Sequence, residues 1–122
     1  MAGAREELAW AGGLFEGEGW ITHGWNTNQN TGKNKFPRPQ VGLGMVARDE
    51  AILRRFALAL GFGKIYGPYQ TKHQPQLRWL ANSFEHCQAS IAMLWPWLGE
   101  RRRDQARAMY AFLRENSLGR RN

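Results

Sequence analysis

The stretch Trp10-Ala11-Gly12-Gly13-Leu14-Phe15-Glu16-Gly17-Glu18-Gly19 decides how this chain is read. Residues 5 to 18 carry helical spacing, with Leu8, Ala11, Leu14 and Phe15 recurring along one face. A second stripe, Ala9, Gly13 and Gly17, recurs at the spacing of one helix face and is nearly bare of side chains. A glycine inside a soluble helix costs up to about 1 kcal/mol relative to alanine, so two of them call for a compensating gain. Close approach of a second backbone supplies one. Glu16 and Glu18 end the helix, where a carboxylate is unfavourable against the helix dipole. A chemical use for these acids is therefore favoured over plain solvation.

Outside this stretch the charge is of the other sign. The chain has 122 residues, with 17 Lys and Arg against 10 Asp and Glu, a formal charge of +7. Such an excess favours a polyanionic partner, nucleic acid or an anionic membrane surface. From Trp20 to Arg48, and again from Ala51 to Phe84, there is no acid at all. The first nineteen residues hold Glu6, Glu7, Glu16 and Glu18 against Arg5 alone, so one short acidic segment sits in a basic molecule.

Composition narrows the class further. The length suits a single domain over 1–122, with 116–122 expected as a frayed tail. The longest strongly apolar stretch, Ile91 to Leu98, is too short to span a bilayer and contains Pro96, so no membrane partner is expected. The opening Met1-Ala2-Gly3-Ala4-Arg5-Glu6-Glu7 lacks the apolar run of a signal peptide. Cys87 is alone, which excludes an internal disulfide and a Cys-based zinc site. The expected location is a reducing one, cytoplasmic or nucleoid-associated, with an organelle also compatible.

Working outward along the chain, residues 20 to 28 alternate, with Ile21 and Trp25 on one side and Thr22, Asn26 and Asn28 on the other. Asn28 to Pro39, rich in Asn, Gly, Lys and Pro, reads as a hairpin loop. Val41, Leu43 and Met45 mark the return strand. Asp49 is a candidate N-cap for a helix to Leu60, with Ile52, Leu53, Phe56 and Leu60 inward and Gly61 as its stop. A second hairpin joins 63–69 to 76–82. Ser83 can cap a helix carrying Cys87, Ile91 and Leu94 that ends at Trp95-Pro96. A last helix, about 100–115, turns Ala106, Met109, Tyr110 and Leu113 inward.

The expected fold class is α+β, in the order α-β-β-α-β-β-α-α, with a curved four-stranded antiparallel sheet backed by helices. Its other face carries Thr22, Asn26, Asn28, Arg38, Gln40, Lys64, Tyr66, Gln76 and Arg78, and no carboxylate. Such a face is either ordinarily solvated or a surface for the DNA major groove, where Arg, Lys, Asn and Gln read base edges. The two acid-free segments favour DNA. His23, on the apolar side, reads as a core residue; His73 and His86 lack ligand spacing. Trp25, Trp79, Trp95 and Trp97 read as core and interface anchors.

The opening stretch resembles the signature of the LAGLIDADG homing endonucleases, whose pattern Ala11 to Gly19 fills position by position. Both acidic positions hold Glu, and the pattern's opening Leu-Ala is Ala-Gly. Gly61-Phe62-Gly63-Lys64-Ile65-Tyr66 is similar to the family's third-strand opening. Leu94-Trp95-Pro96-Trp97-Leu98, followed by Arg101-Arg102-Arg103 and Gln105-Ala106, is similar to its late helices. The resemblance spans nearly the whole chain and implies a homing endonuclease-like fold.

It also implies a site-specific endonuclease that cuts long, roughly palindromic duplex DNA by metal-dependent hydrolysis. With one motif per chain it implies a homodimer, packed through Ala9, Gly12, Gly13, Glu16 and Gly17. Glu18 is then the metal-binding catalytic carboxylate, joined by the Gly17 carbonyl, with Mg²⁺ (or Mn²⁺) as cofactor. Glu16 faces the helix-to-strand junction in a structural role. Arg101 stands where relatives often place a Lys near the active site. Arg102 and Arg103 are phosphate contacts or a solvated helix face.

The DNA-binding set is Thr22, Gly24, Asn26, Asn28, Lys33, Lys35, Arg38, Gln40, Lys64, Tyr66, Gln76 and Arg78. Some relatives position water with polar residues of the second strand, where this chain has Gly42 and Gly44. The alternative is thus a catalytically weak or inactive relative acting as a DNA-binding regulator or intron-RNA maturase.

Overall fold

In the computed structural model, residues 3–27 and 35–118 are described. The elements are α1 (Ala4–Glu18), β1 (Gly19–Thr27), β2 (Lys35–Val46), α2 (Glu50–Leu60), β3 (Lys64–Tyr69), β4 (Gln76–Ala81), α3 (Phe84–Leu94) and α4 (Glu100–Leu118). Short 3-10 turns at Ala47–Asp49 and Trp95–Trp97 lead into α2 and away from α3. The chain is α+β in the expected order. The four strands form one antiparallel sheet in the order β1-β2-β4-β3.

Strand parity divides the sheet. Odd-numbered Ile21, Val41, Leu43, Leu77, Trp79 and Ala81 are buried under the helices. They meet Phe15 of α1, Leu53 and Phe56 of α2, Cys87 and Ile91 of α3, and Ala106 and Met109 of α4 in one cluster. Trp79 is fully buried at its centre: its indole nitrogen donates to the Phe62 carbonyl at 2.9 Å, and Phe56 meets it edge-on at 4.9 Å. Gly63, at φ +90°, makes this possible, since any side chain there would run into the indole.

Local signals account for most boundaries. Gly61, left-handed at φ 89°, ends α2, and the Ser83 hydroxyl accepts from the His86 backbone N–H at 3.1 Å to start α3. Four expectations need correction. The second strand begins at Lys35, so Phe36 to Pro39 are strand and not loop. Pro37 and Pro39 pair with Trp25 and His23, beyond the point where β4 ends opposite Val41. Their missing N–H groups thus fall on a free edge, which is where a strand tolerates proline. Asp49 precedes α2, but its side chain makes no capping bond. Ile52 is exposed on the outer side of α2. Finally, α4 continues through Leu118, with the Asn116 amide donating to the Phe112 carbonyl; 119–122 lie outside the described residues.

Candidate nucleic-acid interface

The open face of the sheet is assembled from the even-numbered residues. Register places Thr22 opposite Gln40, Gly24 opposite Arg38, Gly44 opposite Arg78 and Tyr66 opposite Arg78. Thr22, Arg38, Lys64, Tyr66 and Arg78 are exposed, while Gly24, Gln40 and Gln76 are half-buried. Arg78 holds its guanidinium 5.0 Å from the Tyr69 ring centroid, which presents a cation and an aromatic edge together. No strand of this face carries a carboxylate. Asn26 and Lys35 fall inside the β1–β2 pairing, and Asn28 and Lys33 lie outside the described residues.

Trp20 also belongs to this face, outside the set expected from the sequence. Its indole lies across Gly42, directly opposite in register, and reaches Gly44, where an added Cβ would sit 3.6 Å from the ring. A side chain at Gly42 would collide with it. The indole N–H donates to Gln40 Oε1 at 3.0 Å, and Gln40 Nε2 donates to Asn82 Oδ1 at 3.1 Å. The signal was available: Trp20 shares parity with Thr22, and two glycines on the facing strand leave a space the size of a large ring. His23 and Trp25 take the other parity. Both rings pack on Phe112 of α4, at 4.6 and 5.3 Å, yet both stay exposed, so they shield the sheet edge and are not core.

At the end of this face stands the last turn of α1. Glu18 is its final residue and is exposed, with no hydrogen-bond or ion-pair partner among the described residues. Glu16 has a different position. Its Oε1 accepts the Gly99 N–H at 2.6 Å, at the N-terminus of α4, where the helix dipole favours a carboxylate. The Glu16 carbonyl in turn accepts from Arg102 Nη2 at 3.3 Å. Arg102 is only 6% exposed, with its guanidinium 5.9 Å from the Phe15 ring and Nη1 on Gln105. Burial lowers its pKa, as does the neighbouring Arg101 charge, and Glu16 opposes both.

Arg102 is therefore neither a phosphate contact nor a solvated cation; it ties α4 to the end of α1. Arg103 is half-buried, donating to the Trp95 carbonyl at 3.0 Å. Arg101 is the exposed member of the three, in the first turn of α4.

The small-residue stripe separates in the same way. Gly13 and Gly17 are exposed, and a Cβ on either would touch nothing within 4 Å. Ala9 is half-buried beside them. Gly12 faces inward instead: its Cβ would sit 2.7 Å from Trp97 Cβ, so glycine is needed there to seat the Trp95–Trp97 turn. Gly12 and Glu16 thus pack against their own chain rather than the outward face. Beside that face Arg55 lies 3.8 Å over the Trp10 ring and pairs with Glu7 through two nitrogens, at 3.0 and 2.7 Å.

Among the described residues no three His, Cys, Asp or Glu side chains converge into a metal cage. One chain offers the Glu18 carboxylate and, at Gly17, a helix-end carbonyl of the kind left without an in-helix partner. That donor set fits a hard divalent cation that keeps waters and takes phosphate oxygens, and it does not fit a self-contained protein cage. No helix among the described residues is long and apolar enough to cross a membrane.

No family model matches the chain, and no curated protein matches it significantly in sequence. Solved structures match it in fold. The chain is similar to the homing endonuclease I-CvuI in complex with its target, with a TM-score of 0.71 and 15% identity over 88% of this chain and 66% of that one. It is similar to the group I intron-encoded homing endonuclease I-CeuI complexed with DNA, with a TM-score of 0.72 and 11% identity over 89% of this chain and 54% of that one. For the LAGLIDADG homing endonuclease I-GzeII in complex with a DNA target, the TM-score is 0.60 at 14% identity, over 74% of this chain and 28% of that one. At such identities the likeness is one of fold. The chain spans less than two thirds of the length of these proteins.

Proposed function

We propose that this chain, which has the LAGLIDADG homing-endonuclease fold, is one half of a homodimeric endonuclease that cuts long, roughly palindromic duplex DNA. One observation carries the reading: an exposed carboxylate, Glu18, unpaired among the described residues, ends a glycine-faced helix at the margin of a polar sheet that holds cations and no acid. A carboxylate directed at a phosphate backbone is repelled unless a cation intervenes, so its position there is costly without a use. Two-fold pairing through the outward Ala9, Gly13 and Gly17 face would bring two such carboxylates together, one for each strand.

In this reading the sheet residues do the binding. Arg38, Lys64 and Arg78 hold the duplex by charge, and Thr22, Gln40 and Gln76 contact base edges. Glu18 supplies an anionic oxygen and Gly17 a carbonyl oxygen to a divalent cation, Mg²⁺ (or Mn²⁺). When bound, that cation polarises the phosphodiester and makes water a stronger nucleophile. Arg101, exposed in the first turn of α4, is the cation available to a phosphate oxygen. A duplex-DNA substrate and a lone thiol support a reducing compartment, the cytoplasm, nucleoid or an organelle.

A second reading has its own observation. The Trp20 indole fills the open-face space over Gly42 and Gly44, leaving an apolar surface where polar groups would order water. That favours a relative that binds nucleic acid as a regulator or intron-RNA maturase and cuts weakly or not at all.

Incubation with a randomised duplex library, in Mg²⁺ and separately in EDTA, followed by sequencing of cut and bound fractions, separates the two. Cut ends in Mg²⁺ alone are expected. Bound sequences without cut ends in either condition would carry the second reading. Glu18→Gln is expected to abolish cutting and keep binding; retained cutting would assign the chemistry to another carboxylate.

A further inference from the structure

Gln40 lies on β2, flanked by β1 and β4, and both neighbours direct its side-chain amide. Trp20 of β1 donates to Oε1 at 3.0 Å, and Nε2 donates to Asn82, just beyond β4, at 3.1 Å. An indole N–H donates and cannot accept, so the amide oxygen must face Trp20. Turning the amide over would lose the Trp20 bond. Trp20 is itself held, because its ring occupies the space that Gly42 and Gly44 leave open.

A primary amide has two lone pairs on oxygen and two N–H donors. The lock uses one of each. One acceptor and one donor remain on the same planar group, within a face that holds Thr22 and Arg38 and no carboxylate. A fixed acceptor beside a fixed donor complements the major-groove edge of adenine, with its N6 donor and N7 acceptor. We infer that Trp20 and Asn82 are positioning residues that hold Gln40 as an adenine reader, making one base position in each half-site selective. This rests on the duplex-binding reading above, and its test is separable from it.

The full chain is bound to a randomised duplex library in EDTA and the bound fraction sequenced, for the wild type, Trp20→Phe and Gln40→Glu. The wild type is expected to prefer adenine about tenfold or more at one position per half-site. Gln40→Glu keeps only acceptors and should move that preference to cytosine, whose N4 donates. Trp20→Phe fills the same space without the N–H, so it should reduce the preference severalfold there and leave the other positions unchanged. A purely structural Trp20 would weaken binding to all sequences alike, and that outcome overturns the inference. So does a Gln40→Glu profile identical to the wild type. Should Trp20→Phe not fold, Asn82→Leu removes the partner on the opposite flank and is expected to relax the same position. No enrichment of any sequence by the wild type would remove the duplex-binding reading itself, and this inference with it.

Discussion

Glu16 and Glu18 stand two positions apart on α1, which separates them by more than half a turn, and their surroundings assign them different work. Glu16 accepts from the Gly99 N–H and meets the Arg102 positive charge, so it holds two helices at a corner. Glu16→Ala is expected to lower stability by about 0.5 to 2 kcal/mol, the range for losing a helix N-terminal capping partner, read from urea unfolding. Glu18 has no such partner among the described residues. Glu18→Gln should change stability by less than about 0.5 kcal/mol in the same assay. A large loss there would mean that Glu18 is structural and would remove the main support for a catalytic carboxylate.

At the scale of elements, parity decides what each strand presents. The odd residues of β2 and β4 build the core and the even ones the open face, and this alternation is legible in the sequence at Val41, Leu43 and Met45. The start of β2 was not legible, because Pro37 and Pro39 are loop signals unless a free edge receives them. Cys87 on α3 is a buried element-level contact, its Sγ 3.1 Å from the Ala81 carbonyl. Burial pushes its thiol up to about 11, against an ordinary 9.0. The folded state therefore prefers the neutral thiol. That contribution is full below the unfolded value and is lost as pH rises toward the folded one. Unfolding free energy should fall between about pH 9 and 11, and Cys87→Ala should remove that component of the slope. A slope unchanged in the variant would exclude the thiol as its source.

Across the whole molecule, Gly12 and Gly13 are neighbours that answer different questions. Gly12→Ala forces a Cβ to 2.7 Å from Trp97 Cβ and is expected to destabilise the chain by about 1 to 3 kcal/mol, seen as a lowered Tm. A Cβ at Gly13 meets nothing within 4 Å among the described residues, so the exposed Gly13→Leu should leave Tm close to the wild type. On the proposed two-fold packing it would hold two motif helices apart. Sedimentation velocity is then expected to report monomer for the variant and dimer for the wild type. A variant that still dimerises would place the interface elsewhere.

The sequence alone determined the order of elements, the acid-free sheet face and the motif helix that ends in two carboxylates. These follow from local periodicity, local charge and residue type, which need no knowledge of distant neighbours. Tertiary structure decided which motif residues point outward. Gly12 is claimed by Trp97 and Glu16 by Gly99, whereas Gly13, Gly17 and Glu18 have no such partner among the described residues. It also decided that Arg102 is buried and that Trp20 occupies the space over Gly42. Each of these depends on contact between segments far apart in the chain, and helix or strand spacing carries no information about which distant side chain will fill a given gap.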